Sequence, residues 1–489
     1  MISKARKTGP PAGSRRGPAE RVRSSLSWIV GLAISGVILV AALAWTWWRK
    51  HEPQKPRTTS GSSVILDAKQ TSLDPTASAG GVVTQPQTEA AGLKREAVAV
   101  ARQVAEVYPN DGLAYALLGS AYYNTGQSEQ AVTYLRRCLE LSPGQTDAYA
   151  ILARVAYEKG ELDETVRLCQ EALKRVPTNA EVLNRLGRAL MDLGRTEEAI
   201  QTLQQAVRLP KPSSDSFYLL GQGNLQASDY GQAKESFRRA IALLPDHTQA
   251  FFGLYTACMR LGQTEEAERY REQFLKLEAI DRRTLTDRSA QEDTLTGLPL
   301  VRKTVARTFF GAAQVYRVHE DSGKAAALLL KSATLEADNP VYRSALEAHY
   351  VQRNALAEGV TAFEQLVRQQ PEGSLNHLFL GRLHARLDHF DAAERAYQKV
   401  RELAPDWSEG YRALAELYLG ADRKPSEARA LARRVIELEP SGPHFYLLAV
   451  ACLKSSDRAG ALEAINQAVA LNPGEKKYQE FLQQLKKAP

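Results

Sequence analysis

Residues 112–145 read GLAYALLGSAYYNTGQSEQAVTYLRRCLELSPGQ, and the spacing inside this stretch decides the fold. Tyr115, Leu118, Gly119 and Tyr122 recur at helical intervals and fall on one face. Gly126 interrupts the pattern, and a second helical face follows through Ala131, Leu135 and Cys138. Pro143 closes the unit, because proline cannot continue a helix. The unit then recurs: Pro109, Pro143 and Pro177 lie 34 residues apart, as do Ala199, Ala233 and Ala267. Gly119, Gly187 and Gly221 fall on multiples of the same period.

Two helical faces, a break between them and a 34-residue period resemble the tetratricopeptide repeat, in which two antiparallel helices touch through small residues. The resemblance implies an all-α chain, a right-handed α-solenoid of about ten helix-turn-helix repeats. A globular chain of 489 residues would be expected to divide into about three domains. A fixed repeat overrides that expectation, since stacked units build one long core in which each touches mainly its neighbours.

The charge is unevenly placed. The whole chain carries +7, but residues 1–57 hold eleven Lys and Arg against Glu20 and Glu52. The remainder is therefore close to neutral at about −2, which argues against a nucleic-acid partner, whose binding domains cluster basic charge on the folded part. Cys138, Cys169, Cys258 and Cys452 occupy apolar slots of the repeat and read as small buried hydrophobes. A Cys138–Cys169 disulfide between adjacent second helices is conceivable in an oxidising compartment.

Residues 1–23 form a basic, Pro/Gly/Ser-rich tail expected to be disordered. Residues 24–48 run 25 positions without a charge, enough to span a bilayer as a helix. Trp28 stands at one end and Trp45, Trp47 and Trp48 at the other, as in interfacial aromatic belts. Ala42-Leu43-Ala44 has the form of a signal-peptide cleavage site, but the apolar run is long and basic residues follow it directly, which favours a retained transmembrane helix. Seven basic residues precede this span, while Arg49, Lys50, Lys55 and Arg57 follow it. That bias favours a cytoplasmic N-terminus with the repeats on the far side, a topology that fits a bacterial inner membrane and a periplasmic array.

Residues 49–87 lack a sustained apolar period and read as a flexible linker. A first array is expected over 88–281, with a capping half-repeat and five complete units starting near Gly112, Thr146, Ala180, Ser214 and Thr248. Their helix breaks fall at Gly126, Gly160, Gly194 and Gly262, with Ser228 at the irregular fourth unit. The period fails over 282–300, an irregular insert and possible hinge. It resumes over 301–475 as a second array of five units, of which the one near Val341 carries Glu347 where a small residue is usual. Residues 476–489 read as a C-terminal capping helix, covering an end repeat that has no neighbour.

No catalytic constellation stands out. The glycines mark turns between helices and form no phosphate cradle, and the densest histidines, His377, His384 and His389, lack carboxylates at metal-ligand spacing. No enzyme activity, cofactor or metal is expected, and the array leaves no room for a catalytic domain after the linker.

Function is then expected on the solenoid surface. In the family, the first helices of successive repeats line a concave groove for extended peptides or partner helices, which places Tyr123, Arg154, Tyr157, Asn184, Arg188, Tyr218 and Phe252 in it. Arg154, Asn184 and Arg188 would grip a carboxylate or a peptide backbone. The four aromatic residues would supply apolar anchors. Arg382 and Arg412 form a second basic pair, and the Lys/Asn set of chaperone-binding relatives is not found. The expected role is a membrane-anchored scaffold or adaptor for other proteins of an envelope assembly. Two alternatives stand beside it: a substrate-docking subunit for a separate membrane enzyme, and a self-associating structural solenoid.

Overall fold

The computed structural model describes residues 86–291 and 297–487, all of it helix and turn. The expected tail, membrane span and nearly all of the linker lie outside these residues. Among the described residues no helix is long and apolar enough to cross a membrane.

Helix α1 (Pro86–Val107) leads into five helix pairs. These are α2 (Gly112–Asn124) with α3 (Ser128–Leu141), α4 (Thr146–Glu158) with α5 (Leu162–Arg175), α6 (Ala180–Asp192) with α7 (Thr196–Val207), α8 (Ser214–Gln226) with α9 (Tyr230–Leu243), and α10 (Thr248–Arg260) with α11 (Thr264–Gln291). A second set follows: α12 (Gly297–Val318) with α13 (Ser322–Leu335), α14 (Pro340–Gln352) with α15 (Leu356–Gln369), α16 (Ser374–Arg386) with α17 (Phe390–Leu403), α18 (Ser408–Gly420) with α19 (Pro425–Leu438), and α20 (Gly442–Lys454) with α21 (Arg458–Leu471). Helix α22 (Lys476–Lys487) packs on the last pair.

The turn inside each pair needs one residue in the left-handed region. Gly126, Gly160, Gly194 and Gly262 supply it with φ between 72° and 82°. Ser228 takes the same place in the fourth pair, and Glu320, Asn354, Asp388, Asp422 and Ser456 do so in the second set. Several helix starts are fixed by side-chain caps, among them Asp111 accepting from the Leu113 amide, Asn179 from Val182 and Ser213 from Ser216.

Three features depart from the sequence expectation. Helix α1 is no outer cap. It packs against α2 on one side and against α12, more than 200 positions away in sequence, on another. Glu89 pairs with Arg302 at 2.6 Å near the start of both helices, and Tyr108 stacks on His319 at 3.8 Å near their ends. The two therefore run parallel, whereas the first helix of an ordinary repeat would run antiparallel to the second. His319 Nε2 also meets Asp111 Oδ2 at 2.8 Å, and Lys331 pairs with Glu96.

Second, the insert over 282–300 is mostly helix: α11 continues to Gln291 and α12 begins at Gly297. One 34-residue step beyond Pro245, which follows α9, stands Ala279, so nothing stops α11 there. The same step puts Arg271 in the place of Phe237 and Phe274 in the place of buried Ala240. A bulky ring at that point opposes the close approach of another first helix. Third, one buried cluster runs through Ala97 to Leu220 and on through Val305 to Leu383, so the two arrays share a core rather than meet at a free hinge.

The four cysteines are buried free thiols. Burial pushes Cys138 up to about 11 and Cys169 up to about 12.

Within the second array, Arg343 is fully buried and uses all its donors. Nε reaches Asn376 Oδ1 at 2.7 Å, Nη1 the Glu336 and Asn339 carbonyls, and Nη2 the Ala333 carbonyl and Gln370 Oε1. Burial pulls its guanidinium down to about 10. Three of these acceptors lie at or just past the C-terminal end of α13, where a helix dipole favours a cation. Arg343→Leu removes that charge but strands Asn376 and several carbonyls. It is expected to destabilise the second array by about 3 kcal/mol, seen as a lower urea midpoint and faster amide exchange in α13 through α16.

Candidate functional site

The first helices α2, α4, α6, α8 and α10 carry all seven expected groove residues, and side-chain contacts between neighbouring repeats order them. The Tyr123 hydroxyl donates to Glu158 Oε1 at 2.8 Å, and the Tyr157 hydroxyl donates to Asp192 Oδ2 at 2.6 Å. Both are contacts across 35 residues, one repeat plus one position. They hold the rings in place. Burial, reinforced by the neighbouring carboxylate, raises both phenols, Tyr157 to about 12.

Arg154 is already engaged. It donates to Glu181 on the next repeat, and its guanidinium lies 5.5 Å from the centre of the Tyr123 ring. Arg185 approaches the same Glu181 oxygen at 3.3 Å. Burial pushes the Glu181 carboxyl up, but the two arginines outweigh it and hold the group below its ordinary value. Arg154 was expected to grip a ligand, but its charge is neutralised within the chain, and only its Nε is left buried without a partner. Arg382 behaves alike, donating to Glu409 at 2.9 Å, while Arg412 pairs with Glu409 and Glu416.

Arg188 differs. It is exposed and makes no hydrogen bond or ion pair among the described residues. Together with Tyr157, Met191, Asp192, Tyr218, Gln222 and Gln226 it lines an open cleft of about 440 Å³ across α4, α6 and α8. Tyr218 accepts from Gln222 Nε2 at 2.8 Å and packs against the His247 ring at 4.8 Å. Burial raises its phenol, and the Arg188 charge opposes the rise. Gln226 Nε2 donates to the Met191 carbonyl at 3.2 Å. Asn184, one turn before Arg188, has a buried Oδ1 without a partner.

The structure thus brings Tyr157, Arg188 and Tyr218 into one cleft. Tyr123, on α2, and Arg154, three residues before Tyr157 on α4, are tied to each other and to Glu158 and Glu181. Phe252 stands apart at the end of the first array, 51% exposed and 5.3 Å from the Phe274 ring. Sequence reasoning missed Asp192 and Gln226, each one position beyond the expected groove slots. The recurring step of 35 residues from Tyr157 to Asp192 is the signal that could have found the former.

Family models for the tetratricopeptide repeat match residues 113–145, 156–215, 218–275, 346–406, 378–443 and 412–476. A search of curated proteins finds no sequence match. Among solved structures, MamA aligns at 21% identity over 34% of this chain and 97% of its own, with a TM-score of 0.33. Yeast Tom70 aligns at 16% identity over 78% of this chain and 96% of its own, TM-score 0.33. Pseudomonas aeruginosa pilF aligns at 28% identity over 47% of this chain and 94% of its own, TM-score 0.31. Likenesses this loose carry no argument about partners.

The engaged and open arginines are expected to respond differently to mutation. Arg154→Met should lower the stability of the first array by about 0.5–1 kcal/mol, measured by urea unfolding. Because Glu181 is held low in the folded chain, that contribution is present at neutral pH and is lost as pH falls through its folded value. Arg188→Met should leave the unfolding midpoint unchanged.

Proposed function

This chain is a tetratricopeptide repeat protein, and from that premise we propose that it is a membrane-anchored scaffold whose first array holds an extended segment of a partner protein. The observation that carries this reading is the cleft around Arg188. A cation without an internal partner stands between two tyrosines, one fixed by Asp192 and the other by Gln222 and His247. Groups arranged this way recognise rather than transform: rigid rings offer apolar area at low entropic cost, and the guanidinium and glutamine amides offer hydrogen bonds. The role is binding, with no catalytic step.

The anchor in this proposal is the apolar stretch 24–48 with its flanking tryptophans. The basic excess before it supports a cytoplasmic N-terminus and a periplasmic array in a bacterial inner membrane. The linker would let the groove meet partners away from the bilayer surface.

Crosslinking capture in native membranes tests the proposal, comparing the wild type with Arg188→Glu. A specific partner captured by the wild type and reduced at least tenfold in the variant is the expected result. Capture that ignores the variant would remove the cleft from the binding surface. Recovery of the chain alone would contradict the scaffold and point to a self-associating solenoid. Capture of a membrane enzyme active only with this chain present would specify a substrate-docking subunit.

A further inference from the structure

Among the described residues one contact is built twice, once in each set of repeats, and at a third arginine it is left open. Arg154 reaches Glu181 and Arg382 reaches Glu409, in each case 27 residues on, from the middle of one first helix to the first turn of the next. Each arginine also lies over an aromatic ring, Tyr123 or Phe379. The same step from Arg188 leads to Asp215, in the first turn of α8. There the contact is missing. The Asp215 side chain is 77% exposed, and the ring nitrogen it approaches is His247 Nε2, at 3.6 Å.

Two local causes explain the gap. Aspartate is one methylene shorter than the glutamates that close the other two contacts. The approach to it is also altered: α7 has 12 residues where α3, α5 and α9 have 14, and Pro210 and Pro212 follow it. The residue before a proline is driven away from helical geometry, which ends α7 early and lengthens the connection into α8. The cleft of about 440 Å³ opens at this same place.

We propose that the vacant contact at Arg188 is a specificity site for an acidic side chain within an extended segment of a partner protein, and that the ligand's carboxylate takes the place that Glu181 and Glu409 occupy elsewhere in the array. The inference rests on the groove reading above and names the chemistry that the groove selects. The acidic residue in the cleft, Asp192, is occupied by the Tyr157 hydroxyl. Gln222 and Gln226 spend their amide nitrogens on Tyr218 and the Met191 carbonyl, which leaves their oxygens to accept from a peptide backbone. The cleft spans the second to fourth repeats, so a bound segment continues past it in both directions and presents a side chain rather than its terminus.

The test is selection of random twelve-residue peptides, fused to phage through their C-termini, on the full chain in detergent micelles. Wild type is expected to enrich peptides with Asp or Glu at one fixed position. Asp215→Glu should supply the missing methylene, close the contact internally and weaken those peptides about tenfold. Arg188→Gln should abolish the acidic preference. Enriched peptides that need Tyr157 and Tyr218, yet show no acidic position and ignore Asp215→Glu, would overturn this inference and leave the groove reading standing. No enrichment, or enrichment unaffected by Tyr157→Ala and Tyr218→Ala, would overturn both.

Discussion

The structure depends on how closely the two helices of each pair approach. At Gly119, Gly187, Gly221 and Gly381, an added Cβ would stand 2.5 Å from a side-chain atom of the partner helix, on Leu135, Leu203, Phe237 and Tyr397 respectively. That distance is well inside contact, so a larger residue would force the pair apart or push the partner off its rotamer. Fully buried Ala153, Ala313, Ala415 and Ala449 hold the same position in other repeats. Two repeats depart from this: Tyr255 stands there in the fifth pair, and Glu347, one step before Gly381, in the seventh. Burial raises the Glu347 carboxyl, and Arg382 and Arg386 of the following repeat stand 3.7 and 3.8 Å from it. A buried carboxylate is tolerated there because two cations from the neighbouring repeat come to meet it.

The same spacing requirement explains how far the fold could be read from the sequence. In the first array the five pairs start where the sequence analysis placed them, because glycine marks three of the five close contacts and four of the five left-handed turns. In the second array Glu320, Asn354, Asp388, Asp422 and Ser456 make those turns, and the unit expected near Val341 starts at Pro340. The joint between the arrays could not be read. Ala97, Ala101 and Val104 look like an ordinary second helix, and no periodicity records that their neighbour is α12, in parallel orientation. Such contacts between distant segments depend on surfaces, not on a repeat.

For the cleft, position was legible and engagement was not. The 34-residue period places Arg154 and Arg188 at equivalent points, and nothing in that equivalence tells one from the other. What separates them is the length of the acid 27 residues on, Glu181 in one case and Asp215 in the other, together with the prolines before α8. A repeat that neutralises its own cations leaves little for a ligand. Function on this surface is expected where the internal ladder of contacts is interrupted.

The measurement that tests this most directly is a pair of double-mutant cycles on the unfolding free energy of the first array. The account predicts a coupling of about 0.5–1 kcal/mol between Arg154 and Glu181, and a coupling indistinguishable from zero between Arg188 and Asp215. Equal couplings in the two cycles would contradict it, because Arg188 would then be engaged like its counterpart and the cleft would hold no open cation.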